Sequence, residues 1–241
     1  MNETTAMTTV RIAVLGTGAN GASMGADMVR AGLDVTSIEQ WPAHVEATRE
    51  NGLTVNLPDG TSEVTPVTAY PRCQVAELRE PFDIVFTSVK TYDTRWATEL
   101  IQPLLHETSV IVGLQNGMTI NDVAAIVRPE RSIGAVLGIA ANMYTPGVVE
   151  RQVPREGTWL TVGTMDGART PALAAAVDAL GHAGAISISD DIRASKWMKL
   201  PRGAHRNHNP LTERTSRRLH DPPHRCIHAH RDRRRATRAG C

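Results

Sequence analysis

From residue 10 to residue 200, short apolar runs rich in β-branched residues alternate with longer stretches of helical periodicity. RIAVLG opens the series, a run that stops at glycine and predicts a strand buried on both faces. ANGASMGADMVRAG follows as a helix with small residues facing inward, closed by Gly32. DVTSIE reads as a second strand and WPAHVEATRENG as a helix ending at Gly52. TVNLPDGTSEVTPV predicts a hairpin that turns at Pro58-Asp59-Gly60.

FDIVFTSV, SVIVGL and SIGAVLGIA are three more buried strands, with helices TRWATELIQPLL and INDVAAIV between them. After Pro146-Gly147 come the strands VVERQV and WLTVG, the helix PALAAAVDALGHAG and the short strand AISIS. Asp190 or Asp191 then opens the helix DIRASKWMKL. Alternation at these lengths predicts an α/β fold, a Rossmann-type doubly wound, mostly parallel sheet over residues 10–189. Residues 190–200 begin something helical.

Charge divides the chain where the pattern ends. Residues 1–200 carry 15 basic against 22 acidic residues, a net of −7, while residues 201–241 carry 11 arginines against 3 acids, a net of +8. No apolar run is long enough to span a bilayer, and MNETTAMTTV lacks the features of a secretory signal. Cys73, Cys226 and Cys241 are odd in number and show no metal-binding spacing. A cytoplasmic protein with no membrane partner and no metal site is therefore expected.

LGTGANG supplies Gly16, Gly18 and Gly21 as GxGxxG between a strand and a helix. Gly16 permits a tight turn, Gly18 lets a pyrophosphate approach the backbone, and Gly21 lets the helix pack closely. Thr17, Ala19 and Asn20 complete this candidate dinucleotide loop. Glu39 ends the second strand 18 residues after Gly21, where an acid binds a ribose 2′-hydroxyl and disfavours the extra phosphate of NADP. Lys90 and Asn116 stand at the ends of later strands, where ligands of open α/β sheets bind. Lys196 and Lys199 share a helix face at i, i+3. Taken singly, these residues also fit a solvated loop, a turn and a basic helix end.

GxGxxG, "SVK", "LQNG", "PGVV" and "IRASKWMKL", in that order over residues 10–200, resemble the ketopantoate reductases (2-dehydropantoate 2-reductases). The resemblance implies a two-domain enzyme that binds NADPH in a Rossmann domain and reduces the 2-keto acid ketopantoate in a cleft beside an all-helical domain. It implies that Lys199 is the catalytic general acid, and that Asn116 positions substrate and nicotinamide. It further implies that Lys90 contacts the substrate side, and it gives Lys196 no such role. NADPH follows from the resemblance and NADH from Glu39; both stay open here.

The resemblance stops at Leu200. The family's "KL" continues into "xVN", whereas Pro201, Arg202 and Gly203 stand here. The tail, 201–241, reads as an out-of-frame product or a disordered segment. Its arginines also fit a nucleic-acid arm, and His220, His224, Cys226, His228 and His230 a metal tract. The expectation is a helix broken at Pro201, a missing helical domain and impaired turnover. A nucleotide-binding remnant without turnover, or a reductase of another 2-keto acid, are the alternatives. Self-association through an exposed helix face is also expected.

Overall fold

Ile12, Ala13, Val14 and Leu15 are all inaccessible to solvent, because apolar layers cover both faces of the strand that carries them. The computed structural model describes residues 10–206. In chain order the first half runs β1 (Arg11–Leu15), α1 (Ala19–Arg30), β2 (Asp34–Glu39), α2 (Pro42–Asn51), β3 (Leu53–Asn56), β4 (Ser62–Thr65), β5 (Thr68–Pro71), β6 (Phe82–Thr87) and α3 (Thr94–Ile101). The second half runs β7 (Leu105–Gly113), α4 (Ile120–Val127), β8 (Ser132–Gly138), β9 (Ala141–Thr145), β10 (Val148–Arg151), β11 (Trp159–Thr164), α5 (Pro171–Gly181), β12 (Ala185–Ile188) and α6 (Ile192–Arg206).

Eight strands form one sheet in the order β12-β11-β8-β7-β6-β1-β2-β5. Every neighbouring pair is parallel except β8 and β11. Side chains of α1 and α5 fill one face, with Met24, Met28, Leu173, Ala176 and Leu180 buried on it. Those of α3 and α4 fill the other, with Ala97, Ile101, Val123 and Val127. This is the doubly wound arrangement that the strand–helix alternation predicts.

A second sheet, ordered β4-β3-β10-β9, was not expected. The predicted hairpin is there as β3 and β4, but β3 also pairs in parallel with β10, Thr54 opposite Val148. The strands β9 and β5 escaped the sequence pattern because ANMYT and TAYP are short, and neither alternates cleanly. Pro103 shortens the predicted TRWATELIQPLL helix, which stops at Ile101 and gives way to a tighter turn over Gln102–Leu104. The strand after it begins at Leu105, four residues before SVIVGL.

A buried ion cluster ties the second sheet to α1. Asp27, on α1, accepts from Arg151 at 2.6 Å and from Arg155 at 2.8 Å, and also pairs with Arg30. Arg30 reaches Glu63 of β4 at 2.6 Å, and Arg155 pairs with the same carboxylate. The Arg151 side chain is wholly buried and donates further to Thr158 and to the Ala183 carbonyl, each at 2.9 Å. Hydrogen bonding to Arg155 holds Glu63 below the usual carboxylate range, and the same contact raises Arg155.

The expected break at Pro201 does not occur, since α6 runs through it to Arg206. Proline removes one backbone N–H and costs roughly 3 kcal/mol in a helix interior, but its fixed φ is itself helical. The cost is local and does not dictate an end. The basic tail from 207 to 241 lies outside the described residues, as do the histidine tract and residues 1–9.

Candidate functional site

The three glycines of the first turn differ in what surrounds them. Gly16 has φ +91°, and a Cβ there would lie 2.7 Å from the Val89 nitrogen. At Gly21 a Cβ would meet the Gly16 carbonyl oxygen at 2.3 Å. Gly18 alone faces open space, and it stands at the start of α1 without a side-chain cap. One glycine thus turns, one packs closely, and one leaves open space at the helix N-terminus.

That room is a cleft of about 220 Å³. Gly16, Gly18, Ala19, Asn20, Glu39 and Lys90 all line it, so most of the residues expected to hold a dinucleotide do share one concavity. Asn20 contributes a buried side-chain oxygen that no described group satisfies. An unpaired acceptor beside uncapped helix amides suits a polar ligand. Thr17 and Gly21 are both buried and do not line the cleft.

Glu39 is buried at the end of β2, and its Oε1 accepts from the amides of Gln40 at 2.7 Å and Trp41 at 3.2 Å. Burial nevertheless pushes its pKa up, so the carboxylate is retained there at an energetic cost. Sequence reasoning missed Arg72, which lines the same cleft with its guanidinium 5.4 Å from the Trp96 ring centroid. Arg72 follows β5 directly, so the strand that went unread also hid this cation.

A second cluster lies at the carboxyl ends of β7 and β8. Lys199 donates to Asn116 Oδ1 at 2.8 Å and to the Leu137 carbonyl. Lys196, only 3% exposed, donates to the Gln115 carbonyl at 2.8 Å. Burial lowers the pKa of Lys199; burial and the neighbouring Lys199 lower Lys196 to about 8. Asn116 therefore meets Lys199, a contact the sequence did not suggest, whereas Lys90 is exposed on the cleft side. The loops that carry Lys90 and Asn116 touch through the Thr91 hydroxyl and the Asn116 carbonyl, 3.4 Å apart.

The paired glycines Gly134 of β8 and Gly163 of β11 make the seat for α6. A Cβ on Gly134 would lie 2.7 Å from the Ile192 side chain, and one on Gly163 would lie 3.2 Å from Ile192 Cβ. Ile192 is buried there against Ile120 and Val136. Lys196 and Lys199 follow at i+4 and i+7 on the same helix stripe, so both turn inward with it. That spacing was a readable signal for the burial of Lys196. The opposite side of the helix shows Trp197 and Met198 to solvent.

Fold and cleft define a Rossmann-type α/β protein with a glycine-turn pocket and a lysine-bearing helix beside it. The chain belongs to the ketopantoate reductase PanE/ApbA family, whose profile matches residues 12–167. It is 29% identical over 213 residues to a 2-dehydropantoate 2-reductase of Mesorhizobium japonicum, covering 79% of this chain and 63% of that protein. It is 30% identical over 195 residues to one of Halobacterium salinarum, covering 79% and 61%. The solved 2-dehydropantoate 2-reductase of Geobacter metallireducens superposes with a TM-score of 0.70 at 29% identity, covering 79% of this chain and 62% of that one. The chain thus spans less than two thirds of these relatives' lengths.

Proposed function

We propose that the chain binds a reduced nicotinamide dinucleotide in the glycine-turn cleft and reduces a 2-keto acid, 2-dehydropantoate foremost, to the 2-hydroxy acid. The observation that carries this reading is the Lys199 ammonium, held between the Asn116 side chain and the Leu137 carbonyl at the ends of adjacent strands. Family membership supplies the substrate class.

Gly16, Gly18, Ala19, Asn20 and Glu39 would hold the dinucleotide, with its pyrophosphate at the start of α1. When bound, the nicotinamide supplies the hydride. The chain's own residues handle charge and protons. As the keto carbon accepts hydride, its oxygen becomes an alkoxide, and Lys199 both stabilises that charge and gives up a proton to it. A lowered pKa brings the donor closer to the working pH. Asn116 orients the ammonium, and Lys90 is the cation available to the substrate side. Because α6 continues beyond Lys199, the lysine stands inside a helix rather than at a frayed end.

Glu39 favours NADH, because a buried carboxylate at the end of β2 accepts a ribose hydroxyl and repels a 2′-phosphate. The reading is tested by following NADH and NADPH oxidation with 2-dehydropantoate, for the full chain and for a Lys199→Ala variant. Turnover that falls by about 10²-fold or more in the variant, with cofactor affinity unchanged, is the expected result. Tight cofactor binding with no turnover in the parent chain would make it a nucleotide-binding protein instead.

A further inference from the structure

The reading of Lys199 as proton donor leaves Lys196 without a role, although Lys196 is the more deeply buried of the two. Among the described residues its ammonium meets one acceptor, the Gln115 carbonyl. That carbonyl belongs to the peptide unit whose nitrogen is the Asn116 amide, and a peptide unit turns as a rigid plane. The Gln115 side chain is itself enclosed, its Oε1 within 3.4 Å of the Thr87 hydroxyl and 3.5 Å of the Thr119 hydroxyl, and its Nε2 3.4 Å from Thr94. The loop is thus held from one side by threonines and from the other by Lys196. Asn116 projects from the held plane towards Lys199.

A hydrogen bond to one carbonyl does not require a charge, and a buried charge without a partner is costly. The groups packed around the pair offer none. The loop after β7 presents Gln115 and Asn116, and β8 presents only the Leu137 carbonyl. On α4, Asp122 pairs with Arg95; before α6, Asp190 pairs with Arg169, and Asp191 accepts from the Ala194 amide. Among the described residues, no carboxylate forms an ion pair with either lysine. Reduction of a 2-keto acid gathers two negative charges at one place, the carboxylate and the developing alkoxide. Two cations without a counter-charge match that need.

We propose that Lys196 is a positioning residue for the reduction: its ammonium pins the Gln115–Asn116 peptide, sets Asn116 against Lys199, and adds a second positive charge behind the proton donor. This rests on the proton-donor reading of Lys199, and its test separates the two. Lys196→Met keeps the length and apolar stem of the side chain and removes the charge and the donor.

In the variant, the NMR signals of the Asn116 side-chain amide and the Gly117 backbone amide should move, with those of Gly16 to Gly21 unmoved. A lysine signal that titrates near pH 8 in the parent should disappear. In turnover assays kcat should drop about tenfold or more, with KM for the keto acid and cofactor affinity changed by less than about threefold. The alkaline fall in kcat near pH 8 should vanish with it. Unmoved Asn116 and Gly117 signals, or an alkaline limb identical to the parent's, would overturn the proposal. A Lys199→Ala variant that still turns over defeats only the proton-donor reading, because the amide signals report on the Lys196 clamp by themselves.

Discussion

Two groups of buried charges lie in this fold, and they are built on opposite plans. Around Asp27, two carboxylates and three guanidiniums interlock, and every charge has an opposite neighbour. Around Asn116, two ammonium groups share one helix stripe and, among the described residues, meet only neutral oxygens. Matched charges deepen each other's ionisation, which is why Glu63 falls and Arg155 rises. Burial without a counter-charge loosens both lysine protons, and the like charge of Lys199 adds to the effect at Lys196, which falls to about 8. The first plan fixes charge states and holds one sheet to a helix. The second makes protons easier to release, and a protein that moves protons can use that.

The largest effect should come from breaking the matched group. Asp27→Ala leaves the fully buried Arg151 guanidinium without its carboxylate, and should lower the unfolding free energy by about 3–5 kcal/mol in urea denaturation. An undiminished midpoint would mean that water replaces the carboxylate there.

The unmatched group should respond with the other sign. Lys196→Met removes an uncompensated buried charge, and should raise stability at pH 7 by about 1–3 kcal/mol even as it impairs turnover. In the parent, the folded state binds this proton less tightly than the unfolded chain does. Stability should therefore climb as pH rises through about 8 toward the ordinary lysine value of 10.5, and the variant should lack that climb. Urea melts at pH 7 and pH 9.5 measure both effects.

The smallest effect concerns Glu39, a buried charge held by backbone amides rather than by a cation. Glu39→Arg should shift the ratio of NADPH to NADH affinity by roughly tenfold towards NADPH, because a guanidinium pairs with a 2′-phosphate that a carboxylate repels. Fluorescence titration with both cofactors decides it, and an unaltered ratio would assign the choice to Arg72, which lines the same cleft.

Much of this was readable in the sequence because it depends on local rules. Gly16, Gly18 and Gly21 announce a turn through their spacing alone, and the strand and helix around them have unmistakable periods. The family motif could name Asn116 and Lys199 as site residues but not their contact, since nothing local says that residues 83 positions apart will touch. The matched charges were invisible for the same reason. Asp27 lies amid small residues on α1, and Arg151 sits on a four-residue strand, so neither looks buried until the second sheet is folded against the helix. Pro201 misled in the opposite way: a strong local rule was outweighed by the helix already running through it.

Gly134 and Gly163 also order events during folding. One belongs to β8 and the other to β11, so the seat for Ile192 does not exist until those strands lie side by side. Docking α6 then brings together Gln115 and Lys196, 81 positions apart, a contact that depends on the intervening strands being in place. The glycine turn needs only β1, β2 and the end of β6, since Gly16 donates to the Ile38 carbonyl at 2.8 Å and packs against Val89. The lysines reach the end of β7 only on a helix seated across β8 and β11, so their presence there reports that those strands are paired.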